Sequence, residues 1–501
     1  MARGAAGADM MWRRLFRRFE DRDSTLQTRL QDMLVHALAE GFIAPGALLP
    51  SSRSLALALG VSRTTVTLVL QSLCDKGLIQ ARARSGYFAD RDPLTAPLGG
   101  AAQRRPVVDA AWWHSRIKQR PSAQRNIRKP ADWQQQPYPF IYGQWDVGLF
   151  PFRDWRSCVL ESLHAQAVRR WAVDHMDRDE ESLVTQIHGR LLPARGIWVN
   201  RDEILVTNGA QHASYLLASV LMDGSTRIGM EDPGYPDARN VFALRGAHVL
   251  PMPVDADGLV PGPALAQCDY VYLTPSHQCP TTVTMSLERR MAILEQARAH
   301  GIGLLEDDHE SELNFAGRPT PALKSLDTDG RVLYLGSLSK TLAHGLRLGY
   351  LVAPAPLVRE LRAMRRLMTR HVSTNNQQAA ASFIAHGFHE AYVRRLNAAY
   401  KERSRVLIAA LEQHAPALQP MPTLGGSALW VQGPPGLDSA ALAGRLLARG
   451  VVIEPGAVFY ADAPQGCKHM RIGYSSIAAD RIDAGVRLIA AELLAMGHGR
   501  V

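Results

Sequence analysis

The chain has 501 residues, too many for one ordinary core, and its length points to two to four domains. At 46% hydrophobic and 21% charged residues it reads as a soluble globular protein, with no apolar run of transmembrane length and no secretory signal. Its net charge of +10 is all at the front: residues 1–135 hold 21 Lys and Arg against 11 Asp and Glu, while the rest balances at 36 against 36. A basic front on a neutral body suits contact with an anionic polymer. The five cysteines, Cys74, Cys158, Cys268, Cys279 and Cys467, lack metal-ligand spacing, so free thiols, no metal site and a cytoplasmic location are expected.

In chain order, residues 1–23 form a basic N-terminal extension. Apolar residues then recur at helical spacing through Leu26, Leu30, Met33, Leu34, Ala37 and Leu38. Pro50-Ser51-Ser52-Arg53 opens a second helix, Gly60 breaks it, and Ser62 is placed to cap a third that runs through Val66, Val69, Leu70 and Leu73. Two short helices joined at a glycine make a helix-turn-helix pattern. Residues 78–88 alternate as a hairpin with a basic tip at Arg82 and Arg84. Arg63, Thr64 and Thr65, beside the Ser62 cap, sit in the first helical turn, where side chains reach base edges in a major groove. Arg53, Arg82 and Arg84 are better placed for phosphates, which set affinity and register. Periodicity alone would also suit any small helical bundle. The run Leu48-Leu49-Pro50-Ser51-Ser52-Arg53-Ser54-Leu55-Ala56, with Leu59-Gly60-Val61-Ser62-Arg63-Thr64-Thr65-Val66, says more. It resembles the winged helix-turn-helix of GntR-type regulators and bounds a DNA-binding domain at residues 24–90.

Residues 91–137 carry repeated Pro and Gly and nine basic against three acidic residues, a basic linker. As a flexible coil, its 47 residues span about 35–40 Å.

From residue 138 onward, helical patterns alternate with short apolar strands at 204–207, 227–230, 248–250, 270–274, 302–305, 332–335 and 350–352. That rhythm is α/β with a mainly parallel sheet. Ligands gather at strand ends in such sheets, and four features stand there. Asn208-Gly209-Ala210-Gln211 opens a helix whose free amides can hold a phosphate. Tyr235 can stack on a flat ring. The acids of Glu306-Asp307-Asp308-His309-Glu310 can hold a pyridine nitrogen protonated. Lys340 follows Ser337-Leu338-Ser339 and precedes Arg347, a plausible Schiff-base lysine with a phosphate partner. Each alone has a bland alternative: a strand-ending glycine, a packed aromatic, a helix cap, a surface lysine.

Taken in order, they resemble the fold-type-I aminotransferases and, more narrowly, the MocR/GabR subfamily, in which this fold is fused to a GntR-type head. Residues 140–143, 274–281 and 470–475 are similar to that subfamily as well. The resemblance implies a pyridoxal 5'-phosphate-binding domain over residues 138–501, with a small C-terminal α+β subdomain. Lys340 would carry the internal aldimine, Asp307 would pair with the pyridinium, Tyr235 would stack, and Ala210, Gln211, Ser337, Ser339 and Arg347 would surround the phosphate. Arg471 would take the carboxylate of an amino-acid-like effector. Three departures stand out. His309 replaces a tyrosine that usually reaches the phenolic oxygen, Thr282 replaces the glycine of Pro-Thr-Gly, and residues 173–181 match no usual loop.

The expected function is therefore a transcription regulator that binds operator DNA and senses a small amino compound by external aldimine formation. The expected assembly is a homodimer with exchanged heads and no membrane partner. The alternatives are a working aminotransferase with an accessory DNA module, and a DNA-binding protein whose degenerate enzyme domain only dimerises. The stretch 138–145 is similar to regulators of ectoine breakdown.

Overall fold

The structure is a computed structural model that describes residues 2–19, 25–83, 85–90, 109–144, 146–315, 320–462 and 466–498. The chain divides into two compact units, residues 1–114 and 115–501.

In the first unit, α2 (Leu26–Ala39), α3 (Ser52–Leu59) and α4 (Arg63–Asp75) each begin on a capping hydroxyl, from Thr25, Ser51 and Ser62. Each cap satisfies an amide that the first turn leaves free. Gly60 ends α3 in the left-handed conformation (φ 67°), the turn that aims α4. The strands β1 (Ile79–Arg82) and β2 (Gly86–Ala89) pair antiparallel as the wing. Leu30, Met33, Leu34, Leu55, Val66, Val69, Leu70 and Leu73 form the core. The basic extension contributes too. It folds as α1 (Ala2–Arg17), which buries Trp12, Leu15 and Phe16 in that core, and Arg13 Nε donates to the Ala58 carbonyl at 2.7 Å.

The second unit opens on residues 115–137, the later part of the basic linker. Among the described residues α5 (Ala110–Arg116) precedes this stretch, and from Gln119 onward it is bonded to the large unit rather than free as a coil. Then come β3 (Tyr138–Pro139), β4 (Ile204–Thr207), β5 (Arg227–Asp232), β6 (His248–Asp255), β7 (Gly258–Leu259), β8 (Tyr270–Leu273), β9 (Gly303–Asp307), β10 (Val332–Ser337) and β11 (Gly349–Val352). Eight of these form one sheet in the order β4-β11-β10-β9-β8-β5-β6-β7. β11 is antiparallel to both neighbours and β7 to β6; every other pair is parallel. Such strands are buried on both faces and read as continuous apolar runs. Helices Ala210–Leu221, Pro236–Leu244 and Ala355–Thr369 cover one face, and Leu287–His300 packs on the other. The strands β12 (Gln419–Pro420), β13 (Ala428–Gln432), β15 (Glu454–Pro455) and β16 (His469–Gly473) form a small antiparallel sheet, and β14 (Val451–Val452) pairs with β3.

Candidate functional site

The carboxyl ends of β4, β5, β9 and β10 open on one cavity of about 300 Å³. Its lining includes Ala210, Gln211, Tyr235, Asp307, His309, Ser337, Ser339, Lys340, Arg347 and Arg471, the whole set expected from the sequence for the large unit.

The phosphate end starts at Gly209 (φ 87°), whose conformation suits glycine and which stands at the start of helix Ala210–Leu221 without a side-chain cap. The first amides of that helix are therefore free for an anion. Arg347, itself left-handed at φ 50°, donates from Nη2 to the Asn208 carbonyl at 3.2 Å. The strand leading into this turn is held as well. Asp179, in the loop that matches no usual pattern, accepts from the Val206 amide at 3.3 Å and pairs with Arg362 at 2.8 Å and with Arg365.

At the other end, Asp307 Oδ2 accepts from Tyr272 Oη at 2.6 Å, while Oδ1 is buried with no hydrogen-bond partner. An orphaned, ionisable oxygen facing a cavity calls for a donor. His309 Nδ1 stands 3.8 Å from that Oδ1, and Tyr235 Oη donates to Asp237 at 3.0 Å.

Lys340 Nζ lies 4.1 Å from the Tyr142 ring centroid and 4.0 Å from Glu310 Oε1. Burial pushes the amine below its ordinary range, with Glu310 opposing; a lowered amine is a better nucleophile. Burial pushes the Glu310 carboxyl the other way, but Lys340 above all, with the 2.7 Å bond from Ser427, outweighs it and holds the group below its ordinary value. A Cβ on Gly143, itself left-handed at φ 59°, would fall 2.1 Å from Lys340 Nζ, so the amine would have to shift.

Arg471 is buried, donates from Nε to Glu454 at 2.8 Å and lies 3.9 Å over the Tyr142 ring. It reaches the cavity already paired with a carboxylate. Thr282, where the sequence departs from Pro-Thr-Gly, adopts a left-handed backbone (φ 66°).

Sequence reasoning missed Lys129, His344 and Glu454, and gave Tyr142, His277 and Glu310 only as members of motifs without roles of their own. Their partners lie on other elements, so no local pattern marks them. His344 lines the cavity with both ring nitrogens buried and unpartnered, and burial pushes it down to about 3, a neutral imidazole.

These groups fit pyridoxal 5'-phosphate: a lysine for its aldehyde, a lone carboxylate oxygen for its ring nitrogen, and amides, hydroxyls and an arginine for its phosphate.

In the first unit, Arg53, Arg63 and Thr64 are exposed at the openings of α3 and α4. Arg63 Nε lies 3.4 Å from Ser52 Oγ. Ser62 and Thr65 are engaged with each other, hydroxyl to hydroxyl at 2.8 Å and Thr65 amide to Ser62 Oγ at 3.1 Å. Arg82 lies 4.3 Å over the Phe88 ring on the wing. Arg84 lies outside the described residues.

Fold and site together define a winged helix-turn-helix protein with an aminotransferase-type domain. The two halves match two families, the gntR bacterial regulatory proteins over residues 26–88 and aminotransferase class I and II over residues 175–489. The chain is 41% identical over 472 residues to the HTH-type transcriptional regulator TauR of Rhodobacter capsulatus, covering 94% of this chain and 96% of that one. It is 30% identical to a probable rhizopine catabolism regulatory protein, MocR, of Rhizobium meliloti, covering 79% and 78%. The structure is similar to LysN, an α-aminoadipate aminotransferase of Thermus thermophilus solved with N-(5'-phosphopyridoxyl)-L-leucine, with a TM-score of 0.69 and 25% identity, covering 77% and 99%. The chain belongs to the MocR-like GntR-type transcription regulators, with a DNA-binding head and an aminotransferase-like domain. Among the described residues, no helix is long and apolar enough to cross a membrane.

Proposed function

We propose that this regulator binds pyridoxal phosphate in the Lys340 cavity and uses it to sense a small amino compound that also carries an acidic group, changing how its winged heads hold operator DNA. The observation that carries the reading is one cavity lined by Lys340, Asp307 with its unpartnered Oδ1, and the Arg347 turn, on a chain that carries a gntR head.

When bound, the cofactor supplies an aldehyde that condenses with primary amines. Lys340 presents the resident amine, and Asp307 accepts the ring N–H. Ala210, Gln211, Ser337, Ser339 and Arg347 hold the phosphate. Tyr235 would cover a ring face, His309 would donate to the phenolic oxygen, and Arg471 would receive the effector's acid. With an effector amine held there in its place, Lys340 would be free and the cavity filled, two differences that would bias a two-state equilibrium. On DNA, Arg63 and Thr64 read bases, Ser62 and Thr65 set the first turn against the backbone, and Arg53, Arg82 and Arg84 contact phosphates. The protein works in the cytoplasm as a homodimer whose heads are exchanged between partners; crosslinks joining each head only to its own large unit would refute the exchange.

The test is borohydride reduction. Purified protein is expected to be yellow, to lose its colour on reduction and to carry the label on Lys340, while a colourless K340A protein keeps its DNA affinity. A protein that forms no such chromophore at saturating cofactor sinks the reading. The intact set Lys340, Asp307 and Arg347 also favours a second reading, a working aminotransferase, which half-reaction spectra with candidate amines would reveal by accumulation of the aminated cofactor.

A further inference from the structure

The outer wall of the cavity is built partly by the linker. Residues 119–129 lie along the large unit through bonds of their own. Gln124 Nε2 donates to the Asn240 carbonyl at 3.1 Å, Arg125 Nη2 to the Tyr460 carbonyl at 3.0 Å, and Asn240 Nδ2 returns a bond to the Arg125 carbonyl at 2.9 Å. This strap brings Ile127 and Lys129 into the cavity lining.

Lys129 Nζ donates to the Tyr142 carbonyl at 3.3 Å and stands 3.9 Å from Glu454 Oε1. That oxygen is buried and has no hydrogen bond, while Glu454 Oε2 is engaged by Arg471. Two cations therefore face one carboxylate. Other neighbours do not balance them: burial pushes the Cys279 thiol up to about 12, so it stays neutral, and Glu310 is matched by Lys340. Arg471 and Glu454 are buried and Lys129 is 27% exposed, so the unmatched positive charge stands at the cavity wall, where it attracts a ligand of the other sign. This corner is short of one negative charge.

Resting on the sensing role proposed above, we infer that Lys129 is an effector-binding residue that shares the effector's acid group with Arg471, making the strap 119–129 part of the effector site. The ligand class is a primary amine with one monoanionic acid group; amines without an acid and diamines are disfavoured. Filling the site would then hold residues 119–129 more firmly against the large unit. Burial pushes the Lys129 amine down to about 8, with Glu454 opposing and Arg471 and Lys340 adding to the fall. Its charge, and the preference for acidic amines, therefore fades as pH rises through that value.

The test titrates the full-length, cofactor-loaded protein with β-alanine and with propylamine, reading loss of the lysine-linked absorbance, and follows hydrogen exchange in peptides covering residues 115–130. Wild-type protein is expected to prefer β-alanine, and K129Q to lose at least tenfold of that preference, or about 1.4 kcal/mol. K129R is expected to restore it. β-Alanine, but not propylamine, is expected to slow exchange in the strap. Should K129Q fail to fold, the wild-type preference measured from pH 7 to 9 serves instead and is expected to fall across that range. Absence of any lysine-linked absorbance would defeat the sensing role itself. Absorbance that forms normally, with K129Q keeping the wild-type preference and strap exchange indifferent to the acid group, would overturn this inference alone.

Discussion

Replacing Asp307 with asparagine separates cofactor binding from folding, because the two oxygens of this carboxylate do different jobs. Oδ2 accepts from Tyr272 Oη at 2.6 Å, and an asparagine carbonyl keeps that bond. Oδ1 is buried and unpartnered, and asparagine puts a neutral amide there. Without cofactor, the change removes a buried charge that has one good hydrogen bond, so the melting temperature of the cofactor-free protein is expected to hold or rise. With cofactor, it removes the charge-assisted bond to the ring nitrogen. Such bonds contribute about 1.5–3 kcal/mol, which at 1.4 kcal/mol per decade is a loss of about 10- to 150-fold in affinity. Linkage carries this into stability. At a cofactor concentration of about one hundred times the wild-type Kd, stabilisation is about 2.7 kcal/mol; after a hundredfold loss, about 0.4 kcal/mol remains. Spectral titration gives the affinity, and thermal melts with and without cofactor give the stabilisation. An unchanged affinity, or a cofactor-free protein destabilised as much as the loaded one, would refute the assignment of Oδ1 to the ring nitrogen.

Gly143→Ala places a Cβ 2.1 Å from Lys340 Nζ on a backbone at φ 59°, so lysine-linked absorbance is expected to vanish, with the left-handed alanine costing a further ~1–2 kcal/mol in a melt. Arg63→Ala is expected to weaken operator binding by about 1–3 kcal/mol and relax one base position, whereas Arg53→Ala weakens all sequences alike and flattens the salt dependence; binding assays on operator and random DNA check both. His277 is buried and pushed down to about 4, chiefly by burial, so in the folded protein it resists the proton that the unfolded chain takes up near 6.5. Its contribution is present above 6.5 and lost as pH falls toward 4, with a limiting slope of about 1.4 kcal/mol per pH unit. Glu231, raised to about 7 by burial, acts with the opposite sign as pH rises from 4.5 to 7. The measurement is therefore the difference between wild type and H277N in denaturant melts from pH 4 to 7. A variant with the wild-type pH profile would count against a neutral, buried His277.

Much of this protein could be read from local pattern, because local pattern is what caps, turns and strand ends consist of. Ser51, Gly60 and Ser62 announce α3 and α4 through requirements their neighbours cannot meet. Gly209 and Lys340 follow an apolar strand and Asp307 ends one, and the common direction of those strands delivers all three to one edge of the sheet. Other features depended on residues far apart in sequence. Trp12, Leu15 and Phe16 sit in a basic stretch that only their packing shows to be part of the first core. Thr65, read from the sequence as a base reader, is also engaged with Ser62, a contact set by hydroxyl geometry within one turn. Asp179 came from a loop without a recognisable motif, and its purpose shows only where the Val206 amide, Arg362 and Arg365 converge on it. Glu310 and Glu454 are ordinary acids in sequence; Lys340 and Arg471, which arrive from other strands, turn them into charge partners in a cavity wall. Lys129 belongs to a segment whose composition reads as a tether. Composition reports the cost of ordering a chain, but whether that cost is met depends on the surface the chain finds, and residues 119–129 find the mouth of the cavity.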